Sequence, residues 1–318
     1  MLSLAQDKAL ELEWRIWSVA TLRSPGRLGA IGEAVDSDAD FRPTKASRTF
    51  PPGRRLKGTF TQYATALEAK FDPAEVEGWF YERELTPRGS GEMYFVDNGR
   101  LRHNRTHDSL GAFTDTDWFA SPDRLERLSA YLTRIADTMQ AFHGYCALNL
   151  MTTQRIRFLK KNASTWIGRL GGVGRVMEDQ QREVSDIYWW NYFGPAFVER
   201  WGGRLESLGV KQTKTPAGAI VIWATDSPFV YDPKVKKLGA YEWKHPFYEA
   251  LGKDVFMREG QTQREPGEVV PSWDDQHRAA GVDVSSLEGP EPPAIKGGGL
   301  LPRVVVLNES AQAEEPDA

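Results

Sequence analysis

Residues 121–151, SPDRLERLSAYLTRIADTMQAFHGYCALNLM, decide the fold class of this chain. Ser121 in front of Pro122 predicts a helix start, because a hydroxyl can cap free N–H groups and proline fits the first helical turn. Leucine, isoleucine and methionine then recur at three- and four-residue steps, which predicts an amphipathic helix with one buried face. Gly144 follows, and the apolar run 145–151 predicts a buried strand. The segment is therefore a helix followed by a core strand.

A second unit of the same form follows further along the chain. Gly194 and Pro195 open a predicted helix with an aromatic and aliphatic face, and Gly209 is a natural stop for it. Residues 219–224, AIVIWA, predict another buried strand. Two helix-strand units without a glycine-rich phosphate loop predict an α+β fold, with helices packed on a largely antiparallel sheet.

The N-terminal part shows weaker patterns. Residues 10–20 alternate between apolar and charged side chains, which predicts a half-buried strand. Residues 23–57 are rich in Arg, Pro, Gly and Asp, and they predict a long irregular loop. A short helix is predicted within 59–71, and the runs 79–85 and 92–97 predict a β-hairpin.

The chain organisation follows from a shift in composition near residue 258. We predict a single α+β domain over 1–258, because its aromatic content supplies a sizeable core. Residues 259–318 are a Pro/Gly-rich extension with an acidic tail, and we expect them to be partly disordered.

Charge and hydropathy exclude several classes of function. The net charge is −4 and the pI is about 5.9, which disfavours nucleic-acid binding because phosphate neutralisation needs a basic surface. No run approaches the about 20 apolar residues of a membrane span, and Glu11, Glu13 and Arg15 interrupt the N-terminus where a signal peptide would be apolar. Cys146 is the single cysteine, so no internal disulfide can form. We expect a cytoplasmic protein with no membrane partner.

The sequence contains weak candidates for chemistry. His143 and Cys146 lie three residues apart, but a lone cysteine in an apolar strand usually behaves as a small hydrophobe. The glycine-rich run 170–175 lacks the spacing of a nucleotide fingerprint, and His103 and His107 lie in a polar stretch that does not support a zinc site. We therefore predict no catalytic residue, no metal and no cofactor.

Two clusters are candidates for recognition of a partner. Asp226 and Asp232 bracket a loop after the strand predicted over 219–224. Aspartate next to proline is, however, also common in ordinary turns. The 188–193 run, YWWNYF, is expected to be mostly core, whereas side chains just before Pro246 are expected to be exposed. The candidate partner-binding residues are Asp226, Tyr231, Asp232, Trp243, Lys244 and His245.

The order of four motifs resembles the type VI secretion immunity proteins. The motifs are FHGYCALNL (142–150), SDIYWWNYFGPAFVERWGG (185–203), GAIVIWATDSPFVYD (218–232) and PFYEAL (246–251). The resemblance covers about residues 55–255, and its patterns are aromatic and glycine spacings. It implies a non-catalytic protein, kept in the cytoplasm of a toxin-producing bacterium, that binds and neutralises a cognate antibacterial effector by occluding it.

Two alternatives belong to other functional classes. The chain is an enzyme if Asp226, Asp232 and His245 form an unrecognised carboxylate site, which would require the three side chains to share a pocket. It is a structural or accessory component of a phage or secretion particle if it has a fixed place in a large assembly.

Overall fold

The computed structural model describes residues 11–18, 26–49, 51–53, 55–69, 77–95, 108–149, 151–152, 184, 186–230, 241–252 and 255–256. These residues form a nine-stranded antiparallel sheet with α-helices packed against it, which confirms the predicted α+β fold.

The elements follow one another along the chain. The strands are β1 (Glu11–Ser18), β2 (Lys45–Ser47), β3 (Glu77–Arg83), β4 (Gly89–Phe95), β5 (Asp108–Asp115), β6 (Ala141–Leu148), β7 (Trp190–Phe193), β8 (Gln212–Lys214) and β9 (Ile220–Trp223). The helices are α1 (Arg27–Asp36), α2 (Phe60–Glu68), α3 (Pro122–Met139), α4 (Pro195–Glu206) and α5 (His245–Leu251). The strand order across the sheet is β2-β3-β4-β5-β1-β6-β7-β9-β8.

β1 is the central strand, with β5 on one side and β6 on the other. Its apolar side packs under α3, where the rings of Trp14 and Tyr131 meet edge to face at 6.5 Å. The predicted strand is confirmed, but its half-buried character is wrong, since Glu13 and Trp17 on the other side are buried too. Only Glu11 and Arg15 on that side keep part of their surface in water.

The first helix-strand unit is confirmed as α3 and β6. Two local details differ from the prediction. Ser121 occupies the N-cap position without a side-chain hydrogen bond, and the helix ends at Met139, where the C-cap Gln140, with a φ of 51°, turns the chain. β6 therefore begins at Ala141, and Gly144 lies inside the strand rather than at the break.

The second unit is confirmed as α4 and β9. α4 packs on the sheet face opposite to α3, because Phe197 contacts the rings of His143 and Phe193. Between these two elements lies β8, a short edge strand that the sequence pattern did not predict. The aromatic run 188–193 supplies β7, and all five of its rings are buried.

The predicted irregular loop over 23–57 is wrong for two segments. α1 and β2 both lie within it. α1 packs against α2 at Gly32, where an added Cβ would come within 2.6 Å of the Cα of Thr61. Asp36, the last residue of α1, accepts hydrogen bonds from the first N–H groups of α2, so the C-terminal end of α1 is linked to the N-terminal end of α2.

Two other N-terminal predictions are confirmed. The helix within 59–71 is α2, which begins with a capping box formed by Thr59 and Gln62. The hairpin is β3 with β4, although both strands start and end two or three residues earlier than predicted.

Several predictions lie outside the described residues. They concern His103, His107, the glycine-rich run 170–175, Tyr231, Asp232 and the extension 259–318. Within the part of the chain that the structure describes, no helix combines the length and the apolar character needed to cross a membrane.

Candidate functional site

Lys244, predicted as an exposed partner-binding residue, is buried. Its Nζ donates to Asp186 Oδ2 at 2.5 Å and lies about 5 Å from the rings of Tyr188, Tyr241 and Trp243. The expectation of exposure is wrong because the ammonium is needed inside the protein, to neutralise a carboxylate that is only 2% exposed.

The three other predicted residues that the structure describes lie in different local elements. Asp226 is exposed in the turn after β9, His245 is exposed at the start of α5, and Trp243 is half-buried. The structure describes no contact that joins Asp226 to His245. Because Tyr231 and Asp232 lie outside the described residues, the proposed carboxylate site stays an untested prediction.

His143 and Cys146 project to opposite faces of the sheet, because three residues along a strand reverse the side-chain direction. His143 stacks on Trp17 at 5.8 Å, and burial lowers its pKa to about 3. Burial raises the pKa of the Cys146 thiol well above its usual range. A neutral imidazole and a protonated thiol on two faces do not form a nucleophile–base pair.

One half of a sheet face is only partly buried. The strands β3, β4 and β5 place apolar side chains such as Trp79, Met93 and Leu110 in the core on one side. The side chains on their other side are half-exposed, and we call this surface the open face. The open face consists of Arg15 on β1, Phe80 and Glu82 on β3, Ser90 and Glu92 on β4, and Phe113 on β5.

Strand register organises the open face. Glu92 is paired across the sheet with Gly111, and Gly111 is paired with Arg15. An added Cβ on Gly111 would lie 2.9 Å from Cγ of Arg15, so glycine gives this side chain room to cross β5. Arg15 Nη2 then reaches Glu92 Oε1 at 2.9 Å, while its Nε lies 3.2 Å from Glu13.

Glu13 anchors the buried edge of the open face. Tyr145 donates to its Oε1 at 2.8 Å, and the Thr152 hydroxyl donates to its Oε2. A buried carboxylate with these donors and the Arg15 guanidinium is fully solvated by protein groups. The arrangement fixes the position of Arg15 and hence of Glu92.

A cavity of about 490 Å³ lies at the hairpin end of the open face. Its lining is entirely polar or glycine, and consists of Glu11, Glu82, Arg83, Glu84, Arg88, Gly89, Ser90 and Asp115. Glu11 and Asp115 are directly opposite each other in the pairing of β1 with β5. Burial and the carboxylates of Asp115 and Glu13 raise the pKa of Glu11.

The cavity and the open face were not predicted from the sequence. The charged positions of β1 were visible, but they were interpreted as the water-facing side of a half-buried strand. Glu11 and Asp115 are brought together by strand pairing, and no local pattern reports that pairing. Among the described residues, no group of three His, Cys, Asp or Glu side chains is arranged to hold a metal ion.

The chain matches no protein-family model and no curated protein. Its fold is similar to that of a solved structure, the Pseudomonas aeruginosa T6SS protein PA0821, with a TM-score of 0.50 and 12% sequence identity. The match covers 85% of this chain and 81% of the other chain. At this identity the likeness shows a shared fold.

Proposed function

We propose that this protein is an immunity protein, which binds a cognate antibacterial effector in the cytoplasm of the producing cell and neutralises it by occlusion. The open face carries this proposal. It combines half-exposed aromatic rings, Phe80 and Phe113, with an arginine whose position is fixed by Glu13 and Glu92. Aromatic and arginine side chains are enriched in protein interfaces.

Two observations support a role of this protein in a type VI secretion system. The motifs of residues 142–251 resemble immunity proteins of that system, and the fold is similar to that of a T6SS protein. Binding alone suffices for such a role, since a stoichiometric inhibitor needs a rigid surface of about 800 Å² per partner and no reactive group.

The antiparallel sheet makes the open face suitable for rigid binding. Hydrogen bonding to neighbouring strands on both sides holds the backbone of β3, β4 and β5. Side chains that project from a rigid sheet lose little entropy when a partner docks, which favours affinity.

The test is protection in cells. A candidate toxin from the same genome would be produced together with the wild-type chain or with Phe113→Arg, and Glu126→Arg on the surface of α3 would be the matched control. We expect survival and a pulled-down complex for the wild type and the control, and loss of both for Phe113→Arg, with circular dichroism confirming its fold. Killing of cells that contain the wild-type chain, without a complex, contradicts the proposal.

The predicted residues Asp226, Trp243 and His245 offer a second candidate region. Asp226 is exposed in the turn after β9, His245 is exposed at the start of α5, and the half-buried Trp243 lies two residues before His245. Exposure of two of the predicted partner-binding residues favours it as an additional contact region.

A further inference from the structure

The carboxylates Glu11 and Asp115 form an uncompensated pair on the wall of the cavity. They are paired residue to residue across β1 and β5, and like charges directly opposite each other destabilise a sheet. Among the described residues no cation forms an ion pair with either of them, and the described contact that favours the charged form of Glu11 is a hydrogen bond with Asn149.

The other acidic groups of this region already have cationic partners. Lys45 Nζ lies 2.7 Å from Glu84 and 3.7 Å from Glu82, and Arg55 Nε lies 3.5 Å from Glu84. Arg15 binds Glu92 on the open face. The negative charge that remains is therefore concentrated at Glu11 and Asp115.

The two arginines of the cavity do not neutralise this pair. Arg83 donates to the backbone carbonyl of Arg42, before β2, at 2.9 Å and to that of Thr86, in the hairpin turn, at 3.3 Å, so its guanidinium already has backbone acceptors. Arg88 is exposed on the same hairpin, where it adds a positive charge to the cavity entrance.

The hairpin turn also offers an apolar contact. Leu85 is 58% exposed in the turn between β3 and β4, two residues from the cavity-lining Arg83. Long cationic side chains place an apolar stem along such surfaces while their charged head makes polar contacts. An exposed leucine in the turn next to the cavity-lining Arg83 and a carboxylate pair in the cavity thus suit the two parts of an arginine or lysine side chain.

We infer that the open face receives a segment of a partner protein that carries an arginine or lysine side chain, whose cationic head enters the cavity and binds Glu11 and Asp115. This inference rests on the proposed function, since the partner is the bound effector. Guanidinium and carboxylate groups form paired, charge-assisted hydrogen bonds, and the incoming cation removes the repulsion between the two carboxylates.

The test uses the full chain and two blocked peptides, acetyl-Gly-Arg-Gly-amide and its citrulline counterpart. Citrulline has nearly the shape of arginine without the charge. Titration followed by NMR should show saturable binding of the arginine peptide and no saturable binding of the citrulline peptide. The double variant Glu11→Gln/Asp115→Asn should weaken the affinity for the arginine peptide about tenfold or more.

Two further variants separate charge recognition from damage to the fold. Arg88→Ala should increase the affinity for the arginine peptide about two- to threefold, because the substitution removes a positive charge from the cavity entrance. Glu126→Gln/Glu199→Gln, which changes two exposed carboxylates on α3 and α4, should leave the affinity unchanged. Equal binding of both peptides, or an unchanged affinity in the Glu11/Asp115 variant, overturns the inference.

A cell assay distinguishes failure of this inference from failure of the proposed function. If the wild type does not protect against the candidate toxin, the proposed function fails, whatever the peptides do. If the wild type protects and Glu11→Gln/Asp115→Asn protects equally well, with an unchanged affinity for the toxin, the inference fails and the proposed function stands.

Discussion

His143 is held in a fully buried aromatic site between β1 and α4. Its ring stacks on Trp17 and contacts Phe193 and Phe197 at 5.7 and 5.9 Å, and within the described part of the chain neither ring nitrogen has a hydrogen-bond partner. Burial alone lowers its pKa to about 3, whereas the unfolded chain has the ordinary value of 6.5. On acidification, this histidine is therefore protonated in the unfolded chain at a higher pH than in the folded protein.

This difference predicts loss of stability on acidification. The contribution of neutral His143 is complete above pH 6.5 and falls as the pH decreases towards 3, by about 1.4 kcal/mol per pH unit. Between pH 7.5 and 4.5 the loss from this residue should be about 2–3 kcal/mol. Urea unfolding at both pH values should show that His143→Phe removes this part of the loss.

The exposed His245 provides the control for this prediction. His245→Gln should keep the full acid sensitivity of the wild type. If His143→Phe loses stability as steeply as the wild type over the same pH range, the buried imidazole is not the cause.

The buried pair of Lys244 and Asp186 leads to a second prediction. Asp186 also accepts from Tyr248 at 2.7 Å and from the N–H of Ile187 at 2.8 Å, so it is held in place even without the lysine. Lys244→Met leaves a buried carboxylate without its cation, which should cost about 3–5 kcal/mol of the free energy of unfolding. Denaturant titration measures this loss.

An exposed ion pair gives the comparison. Lys214 lies 2.6 Å from Glu206, and their side chains are 69% and 49% exposed, so Lys214→Met should cost less than about 1 kcal/mol. The double variant Lys244→Met/Asp186→Asn should recover part of the loss, because no charge is left buried. Equal costs for Lys244→Met and Lys214→Met would contradict the assigned role of Lys244.

At the scale of elements, the packing of α1 on α2 depends on Gly32. A Cβ at this position would lie 2.6 Å from the backbone of Thr61, and backbone atoms cannot move aside as a flexible side chain does. Gly32→Ala should therefore destabilise the protein by about 1–3 kcal/mol, although alanine is the better helix former. Thermal or urea unfolding measures the change.

Gly203 on α4 is the matched helical control. An added Cβ there meets no atom within 4 Å, so Gly203→Ala should stabilise the protein by about 0.5–1 kcal/mol through helix propensity. The same substitution should thus have opposite signs in the two helices. Stabilisation by Gly32→Ala would show that α1 and α2 are not packed as closely as described.

The elements differ in how well the sequence predicted them. α3 and α4 were predictable because a buried stripe and an N-terminal proline are local signals. α1 was missed because its buried face includes glycine and alanine, which have little apolar character of their own, and its flanks are rich in Arg and Pro. The edge strands β2 and β8 were missed because three residues carry no measurable alternation.

The candidate site was less predictable than the fold. Glu11 and Asp115 become neighbours through strand register over a long sequence separation, which a linear pattern does not report. Lys244 was assigned to the surface because lysine is rarely buried, and the partner that explains its burial, Asp186, lies 58 residues away. Long-range pairing, not local propensity, sets both outcomes.

For the molecule as a whole, the two sheet edges are poor binding sites. The edge strands β2 and β8 have three residues each, and each carries a lysine. Short edge strands with lysine oppose the addition of a further strand from another chain. A partner is therefore expected to bind a face of the sheet or the loops at its ends.

The last prediction decides between the open face and the region of Asp226 and His245. Asp226→Asn/His245→Gln changes only the latter region, whereas Phe80→Ser/Phe113→Ser removes half-exposed rings from the open face and leaves its charges in place. If the open face binds the effector, loss of two aromatic contacts should weaken the complex about a hundredfold or more, and Asp226→Asn/His245→Gln should have an effect below about threefold. Biolayer interferometry with the toxin against which the wild-type chain protects measures both affinities on one partner. The reverse result would assign binding to the region of Asp226 and His245 instead of the open face.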